Sequence, residues 1–282
     1  MVFSIKFMES IIEKLKKILR DADIKNISFK RNLAKEYLQV VALDFIYSHK
    51  DYGALVFYGG SCLKHCYGLP RLSEDLDFVD LSKKTNMGRL AADLKDYFAK
   101  TGGIEVKTAT QKFRIYLKFP ILRDLGLAER GESDLLFLKI EIFSGFTFCK
   151  NYKTEIVPIF KYNRSLLIKA FDLPTLMATK IRAVFLRKWE KTYKSGKITA
   201  KVKGRDYYDL MWYLEKKIKP NLDCIEDTKN ITDLKTKLIV AINCADEKSI
   251  YTDLEPLIAD ANFVKKLSKN IKQILTAQIA SL

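Results

Sequence analysis

The sequence has few of the residues from which zinc sites and hydrolase triads are built. It contains two histidines, His49 and His65, and its five cysteines form no Cys-x-x-Cys pair. This set does not make a convincing zinc site, and we expect reduced, partly buried thiols of the kind found in cytosolic proteins. No spacing fits a Ser-His-Asp triad, a Walker loop or a dinucleotide fingerprint.

Long apolar runs are also absent. None approaches the roughly 18 residues that a membrane-spanning helix needs. The first nine residues lack a basic stretch followed by a long apolar core, so we expect no signal peptide. These absences predict a cytoplasmic protein.

What the chain does contain is apolar residues and positive charge. Its 282 residues are 48% hydrophobic and 12% aromatic, which excludes a mostly disordered chain and allows one or two domains. The 50 Lys and Arg against 34 Asp and Glu give a formal charge of +16. Such a charge favours a polyanionic partner such as RNA, DNA or a nucleoside triphosphate. The alternative is a lysine-rich composition that reflects only an AT-rich genome.

Two short strands flank the most informative stretch. The apolar run 54–58 predicts a buried strand that ends at Gly-Gly-Ser, residues 59–61, before a short helix at 62–67. A second strand is predicted at 74–81, where Asp75 and Asp77 share one face. Two adjacent carboxylates repel each other unless a cation lies between them, and carboxylate oxygens favour Mg²⁺. The glycine turn offers N–H groups and a hydroxyl to phosphate. Taken singly, each feature also fits a solvated strand face or a simple turn.

The combined pattern resembles a known signature. Gly-Gly-Ser followed by Asp75-x-Asp77 resembles the motif of the DNA polymerase β-like nucleotidyltransferase superfamily. The longer string over residues 57–78 resembles the AbiEii-type nucleotidyltransferase toxins of bacterial toxin–antitoxin and abortive-infection systems. Lys180 in a predicted helix and the RDYYDL element at 205–210 also match that family's pattern. The C-terminal tail shows hardly any resemblance.

The rest of the chain predicts an α/β (α+β) protein. Apolar periodicity predicts helices near 7–19, 31–48, 86–99, 174–187, 204–217, 231–242, 251–258 and 263–280, and strands near 104–108, 113–119, 135–143, 155–160 and 166–170. Ser28 is a candidate N-cap of the second helix. The resemblance implies a polymerase β-like mixed sheet with flanking helices over residues 1–150. A mostly helical C-terminal domain is expected over 151–282, and the strands within 152–170 fit either half.

The resemblance also implies a metal site. Asp75, Asp77 and Glu141 would hold Mg²⁺ (or Mn²⁺), and together with Lys180 they are the candidate catalytic residues. Glu141 interrupts a strongly apolar predicted strand, and an unpartnered buried carboxylate is unfavourable. The alternatives for Glu141 are a surface position on an edge strand and an ion pair with Lys139.

A wider set of residues is expected to bind the nucleoside triphosphate. The candidates are Gly60, Ser61, Arg71, Ser73, Lys180, Asp206 and Asp209. Asp206 and Asp209 are three residues apart and therefore fit one helix face. Their alternative role is helix capping or a salt bridge to Arg182 or Arg205.

A basic segment follows Lys180. Residues 180–205 hold ten Lys and Arg and one acid, Glu190, and residues 191–204 predict a mobile basic loop. The candidate RNA-binding residues in it are Lys191, Lys194, Lys197 and Lys201.

Together these features predict a Mg²⁺-dependent enzyme that transfers nucleoside monophosphate from an NTP to RNA. By resemblance, the acceptor is the 3′ end of tRNA and the protein is a toxin neutralised by a separate antitoxin. Two alternatives stay open at this point. One is a small-molecule nucleotidyltransferase of the antibiotic-modifying kind, and the other is a non-catalytic nucleic-acid-binding module.

Overall fold

A computed structural model describes residues 10–187, 191–192, 198–200 and 202–282. Its helices are α1 (Ile11–Asp21), α2 (Ile27–Ser48), α3 (Gly59–Tyr67), α4 (Met87–Gly102), α5 (Leu173–Leu186), α6 (Gly204–Glu215), α7 (Ile231–Asn243), α8 (Glu247–Leu254) and α9 (Ala261–Ala280), with a short 3₁₀ helix at Leu222–Cys224. Its strands are β1 (Val56–Tyr58), β2 (Asp75–Val79), β3 (Lys107–Gln111), β4 (Arg114–Pro120), β5 (Leu135–Phe143), β6 (Thr154–Lys161), β7 (Arg164–Phe171), β8 (Lys191–Thr192) and β9 (Ile198–Ala200).

Seven strands form one mixed sheet in the order β3-β4-β5-β2-β1-β7-β6. Strand β2 pairs antiparallel with β1 and parallel with β5, and β1 pairs parallel with β7. The predicted mixed sheet with flanking helices is therefore confirmed. Strands β8 and β9 form a separate two-stranded ribbon inside the segment expected to be a loop.

The two faces of this sheet differ sharply. In β5 the alternate residues Leu136, Leu138, Ile140 and Ile142 are buried, and α2 and α4 pack on this side. Leu76 and Phe78 of β2 are buried on the same side. Because successive side chains point to opposite faces, the acids of β2 and β5 lie on the other, open face. The strong apolar pattern of one face thus fixes where the polar chemistry lies.

The C-terminal part is helical, as predicted, but the sheet extends further along the chain than residue 150. Strands β6 and β7 pair with each other and join the sheet beside β1. Helix α5 follows, with Asp172 as N-cap and Pro174 in its first turn. Helix α6 packs against α5, α8 and α9. The division into domains 1–150 and 151–282 stays a prediction.

The start of α2 differs from the expectation. The N-cap is Asn26, whose Oδ1 accepts from the N–H of Phe29 at 2.9 Å, rather than Ser28, which lies inside the helix. Both residue types suit the position, so composition alone does not choose between them. Helix α8 begins at Glu247, earlier than predicted, because Asp246 caps it through the N–H of Ser249.

The cysteines also differ from the expectation of free thiols. A disulfide joins Cys149, after β5, to Cys224 in the 3₁₀ helix, with 4.3 Å between their Cα atoms. The two residues are 75 positions apart in the sequence, and spacing alone does not reveal such a pair. Cys62, Cys66 and Cys244 are free thiols.

Over the residues that the structure describes, no helix is both long enough and apolar enough to cross a membrane.

Candidate active site

A cavity of about 320 Å³ lies between the open face of the sheet and helices α5 and α6. Charged side chains dominate its lining: the cations are Arg71, Arg114, Lys139, Lys180, Arg187, Lys203 and Arg205, and the acids are Asp75, Asp77, Glu141 and Asp206. Seven cations against four acids leave an excess of three positive charges. The cavity therefore suits a ligand that carries several negative charges.

Three predicted acids meet in this cavity. Asp75 and Asp77 lie on β2, and Glu141 lies directly opposite Asp77 on the parallel strand β5. Asp75 is likewise opposite Lys139. Residues opposite each other on paired strands share a face, so the three carboxylates form one cluster on the open side of the sheet.

Lys139 lies within this cluster as a counter-ion. Its Nζ is 2.9 Å from Asp75 Oδ2 and 2.8 Å from Glu141 Oε1. Arg114 Nε donates to the same Glu141 oxygen at 2.8 Å. The ion pair between Glu141 and Lys139 that the sequence left open is thus present, and it coexists with the clustering of the acids.

Asp77 is the acid of this cluster whose charge is poorly balanced. It makes no ion pair within 4.0 Å over the described parts of the chain, whereas Asp75 and Glu141 share Lys139. Burial, reinforced by the charges of Asp75 and Glu141, raises the pKa of Asp77 to about 7. The cluster would therefore gain from another cation beside Asp77.

This raised pKa predicts an unusual pH dependence of stability. The folded protein holds the Asp77 proton more tightly than the unfolded chain, so in the presence of a chelator stability is lost as the pH rises from about 4 through about 7. Between pH 5.5 and 8.5 the free energy of unfolding of wild type should fall by about 1–2 kcal/mol relative to Asp77→Asn. Urea titrations of both proteins at the two pH values measure this difference. Parallel pH curves would show that Asp77 ionises normally.

The first turn of α3 forms another wall of the cavity, through Gly59 and Gly60. Gly59 has a φ of +78°, and a Cβ there would lie 2.4 Å from Asp77 Oδ2. A Cβ on Gly60 would lie 2.6 Å from a guanidinium nitrogen of Arg71. Both positions thus need glycine. The backbone N–H groups at a helix N-terminus are suited to binding phosphate.

The other predicted residues of this region are placed differently. Ser73 and Arg71 line the cavity. Ser61 lies behind the wall: its side chain is fully buried, and its Oγ has no hydrogen-bond partner within the described residues. The structure thus brings the glycines to the cavity surface and leaves the serine hydroxyl beneath it.

Helices α5 and α6 contribute a buried ionic network. Lys180 Nζ is 2.8 Å from both Asp206 Oδ1 and Asp209 Oδ2. Arg71 binds Asp209 through two hydrogen bonds of 2.6 and 2.7 Å. Arg187 binds the second oxygen of Asp206 at 2.7 Å. This network connects the segment before β2 to the helical part of the chain.

Asp206 and Asp209 have different positions in the network. Asp206 lines the cavity, whereas Asp209 is fully buried behind it. Their salt bridges are not to Arg182 or Arg205, the partners named in the alternative role, because Arg182 pairs with Glu226 and Arg205 pairs with Glu74 and Asp253. The neighbouring tyrosines of α6, Tyr207 and Tyr208, are buried. They belong to the hydrophobic core.

The structure adds cavity residues that the sequence did not single out. Lys139 had a signal, because it alternates with Glu141 and so shares its face. Arg114 lies on β4, Arg187 follows α5 and Lys203 precedes α6, and no local pattern marks these three as cavity residues. Arg205 is the first residue of the RDYYDL element.

Of the four lysines predicted to bind RNA, Lys194, Lys197 and Lys201 lie outside the described residues. Lys191 contributes its backbone to β8, and its side chain is likewise outside the described part.

A divalent cation fits the chemistry of the acid cluster. The available donors are carboxylate oxygens, which Mg²⁺ and Mn²⁺ prefer, and Asp77 carries a charge that its neighbours disfavour. No group of three or more His, Cys, Asp or Glu among residues 10–187 and 202–282 is arranged so that it could hold a metal ion as it stands. In this arrangement the ammonium of Lys139 is the cation that two of the three acids contact.

Paired carboxylates on a mixed sheet, beside a glycine-rich helix start and opposite a lysine, form the arrangement that the sequence analysis expects of a nucleotidyltransferase. Comparison with protein families identifies which kind. The family model described as "Nucleotidyl transferase AbiEii toxin, Type IV TA system" matches residues 44–273. This match covers most of the chain, so the protein belongs to the AbiEii nucleotidyltransferase toxin family. The predicted family and the predicted enzyme class are confirmed.

One solved structure supports the fold. The crystal structure of JHP933 from Helicobacter pylori superposes with a TM-score of 0.51 at 19% sequence identity, covering 89% of this chain and 94% of that chain. A second H. pylori crystal structure, named as that of a candidate nucleotidyltransferase, has a TM-score of 0.49 at 18% identity, covering 87% of this chain and 95% of that chain. No curated protein matches the sequence.

Proposed function

We propose that this enzyme transfers a nucleoside monophosphate from an NTP to the 3′ end of an RNA, in a reaction that depends on Mg²⁺ or Mn²⁺. The observation that carries the proposal is that Asp75, Asp77 and Glu141 line the same cavity as the N-terminus of α3. An anionic triphosphate fits between these groups, and tRNA is the acceptor that the family resemblance favours. The family's description as part of a toxin–antitoxin system implies a separate antitoxin.

In this proposal the acids hold the metal and the cations hold the triphosphate. Asp75, Asp77 and Glu141 would bind Mg²⁺, which when bound neutralises charge on the triphosphate and lowers the pKa of the acceptor hydroxyl. The N–H groups of Gly59 and Gly60 would bind the outer phosphates. The acceptor 3′-hydroxyl then gives its proton to water as its oxygen attacks the α-phosphorus. The bond between that phosphorus and the oxygen bridging to the β-phosphate breaks, and pyrophosphate leaves with that oxygen. Positioning and charge stabilisation supply most of the rate gain.

A transfer assay tests this proposal. Purified protein is incubated with total RNA, Mg²⁺ and each of the four α-³²P-labelled NTPs, and the RNA is separated on a denaturing gel. We expect label in a discrete RNA band with at least one NTP, and no label when EDTA is present or when Asp75→Asn replaces wild type. Label that appears only in a small-molecule acceptor would favour the antibiotic-modifying class. Absence of label with every NTP and acceptor would reject the proposal.

Lys203 is a further candidate for the triphosphate site. Each other cation that lines the cavity has an acid partner within 4.0 Å, whereas Lys203 has no ion pair among the described residues. Burial, together with the charges of Arg205 and Arg187, lowers the pKa of Lys203 to about 8. A phosphate could therefore bind the Lys203 ammonium without first displacing a carboxylate from it.

Replacing Lys203 should therefore weaken NTP use. A charged hydrogen bond is worth about 1.5–3 kcal/mol, so Lys203→Gln should raise the KM for NTP by about tenfold or more. The loss should depend on the phosphate chain, with NTP binding weakened and NMP binding nearly unchanged in calorimetric titrations. Lys216→Gln, at the exposed far end of α6, is the matched control. Equal NTP affinity of Lys203→Gln and the control would remove Lys203 from the triphosphate site.

A further inference from the structure

The open face of the sheet continues beyond the acid cluster onto β4 and β3. On this face β5 presents Phe137, with 42% of its surface exposed, two residues before Lys139. Strand β4 presents Tyr116 and Lys118, and the edge strand β3 presents Lys107. We call these four residues the acceptor platform. It is made of aromatic and basic side chains and begins where the catalytic cluster ends.

The strand register places these residues in rows that lead to the acids. Lys107 is opposite Lys118, and Lys118 is opposite Phe137. In the next row Tyr116 is opposite Lys139, which is itself opposite Asp75. Rows on one face of a sheet are about 6.6 Å apart, because two residues separate them at about 3.3 Å each. Phe137 is therefore one row from Asp75 along the strands.

The charged residues that β3 and β4 contribute to this face are all positive. The residues that β3 and β4 present on the open face are Lys107, Ala109, Gln111, Arg114, Tyr116, Lys118 and Pro120. None of them is acidic. Over the described residues neither Lys107 nor Lys118 has an acid partner in an ion pair, and Lys118 Nζ lies 5.8 Å from the centre of the Phe137 ring. Two ammonium groups without an acid partner, one of them beside an exposed aromatic ring, complement a phosphate chain that carries flat bases.

We propose that the acceptor platform binds the single-stranded 3′ end of the RNA acceptor, with a base stacked on Phe137 and backbone phosphates on Lys107 and Lys118. This proposal rests on the proposed function, since it assumes an RNA acceptor. Exposed aromatic residues on an open sheet face are a recurring way of binding unpaired bases. Tyr116 lies in the Asp75 row, one row beyond this contact, so a strand that follows the rows delivers its end to the acid cluster.

The test measures RNA binding apart from transfer. A fluorescein-labelled single-stranded RNA of ten nucleotides is titrated with full-length protein in buffer with EDTA and no NTP, and its anisotropy is followed. Loss of one base–aromatic stack costs about 1–3 kcal/mol, so Phe137→Ala should weaken binding by about tenfold. Lys107→Gln/Lys118→Gln should also reduce the slope of log affinity against log salt, by about 0.7 for each lost phosphate contact.

Two matched variants serve as controls. Phe160→Ala removes an exposed phenylalanine from the opposite edge strand of the same sheet, where 79% of its surface is exposed. Lys265→Gln/Lys266→Gln removes two exposed charges from α9 and so gives the same net charge as the platform variant. Both controls should bind the RNA with wild-type affinity, and all four variants should keep the thermal stability of wild type.

The outcomes separate this proposal from the function on which it rests. If wild type transfers no nucleotide, the proposed function fails, yet RNA affinity still decides whether the platform exists. If the platform and control variants lost the same RNA affinity, the loss would be due to net charge alone, and the platform proposal would be wrong. If Phe137→Ala leaves RNA affinity unchanged and raises the KM for NTP, the ring contacts the incoming nucleobase instead. If Phe137→Ala changed neither RNA affinity nor the KM for NTP, the platform proposal would also be wrong, and the face would bind another partner, such as a protein.

Discussion

Asp77→Asn is expected to lose nucleotidyl transfer by about 10³-fold or more and yet to unfold at a higher temperature than wild type. Activity falls because the amide lacks the charge that would hold a divalent cation beside the triphosphate, and charge stabilisation of this kind is worth several kcal/mol. Stability rises because the substitution relieves the repulsion by Asp75 and Glu141 that, together with burial, raises the pKa of Asp77 to about 7. At pH 8 with EDTA the Tm should rise by about 2–4 °C.

The opposite directions of the two effects make this a strict test. Steady-state transfer with the labelled NTP and calorimetric scans with and without Mg²⁺ measure them on the same preparations. Saturating Mg²⁺ should raise the Tm of wild type and leave that of Asp77→Asn nearly unchanged, because a ligand stabilises only the form that binds it. Asp80→Asn is the comparison on the same chain segment, since Asp80 accepts hydrogen bonds from Ser82 and Thr85 and lies outside the cavity lining. Wild-type transfer by Asp77→Asn would end the metal assignment.

The residue pattern within a segment predicts the bounds of that segment when the pattern runs through its whole length. The bounds of β5 agree with the sequence prediction because alternate buried residues run through the whole strand. The same alternation places Glu141 on the face of β5 opposite its buried residues, and Asp75 and Asp77 on the corresponding face of β2. Whether these faces are also the same side of one sheet depends on the pairing of β2 with β5. For that step the prediction relied on family resemblance.

The sequence pattern does not predict contacts between segments that are far apart in the chain. Arg71 and Asp209 are 138 residues apart, and nothing near either residue marks the pair. The disulfide between Cys149 and Cys224 is hidden for the same reason. Ser61 shows a different limit: the motif identifies the turn correctly, but the direction of a small side chain depends on how α3 packs, and here it points inward.

Asp209 illustrates how structure changes the expected role of a motif residue. The sequence made it a candidate for NTP binding, yet its carboxylate is fully buried between Arg71 and Lys180 and does not line the cavity. Burial alone would raise the pKa of Asp209, but the charges of Arg71 and Lys180 hold it below its usual value. Its stabilising contribution is thus lost only as the pH falls through this lowered pKa.

Asp209→Asn should therefore act first on folding. Removing one partner of a buried ion pair leaves uncompensated charge and costs about 3–5 kcal/mol, so the Tm should fall by about 10 °C or more. Asp206→Asn should cost less, about 1 kcal/mol, because Lys180 keeps Asp209 as its partner and Arg187 is 38% exposed and reaches water. Urea unfolding of both variants at pH 7.5 measures the contrast.

The kinetic readout distinguishes the two roles of this pair. At a temperature where each variant is folded, Asp206→Asn should change the KM for NTP, since Asp206 lines the cavity and orients Lys180 and Arg187. Asp209→Asn should lower the fraction of active protein with little change in KM for the molecules that remain folded. A variant Asp209→Asn with wild-type stability and a raised KM would instead restore the role in NTP binding that the sequence predicts. That result would require Asp209 to reach the ligand, and the network of Arg71, Asp209 and Lys180 would then have to open during binding.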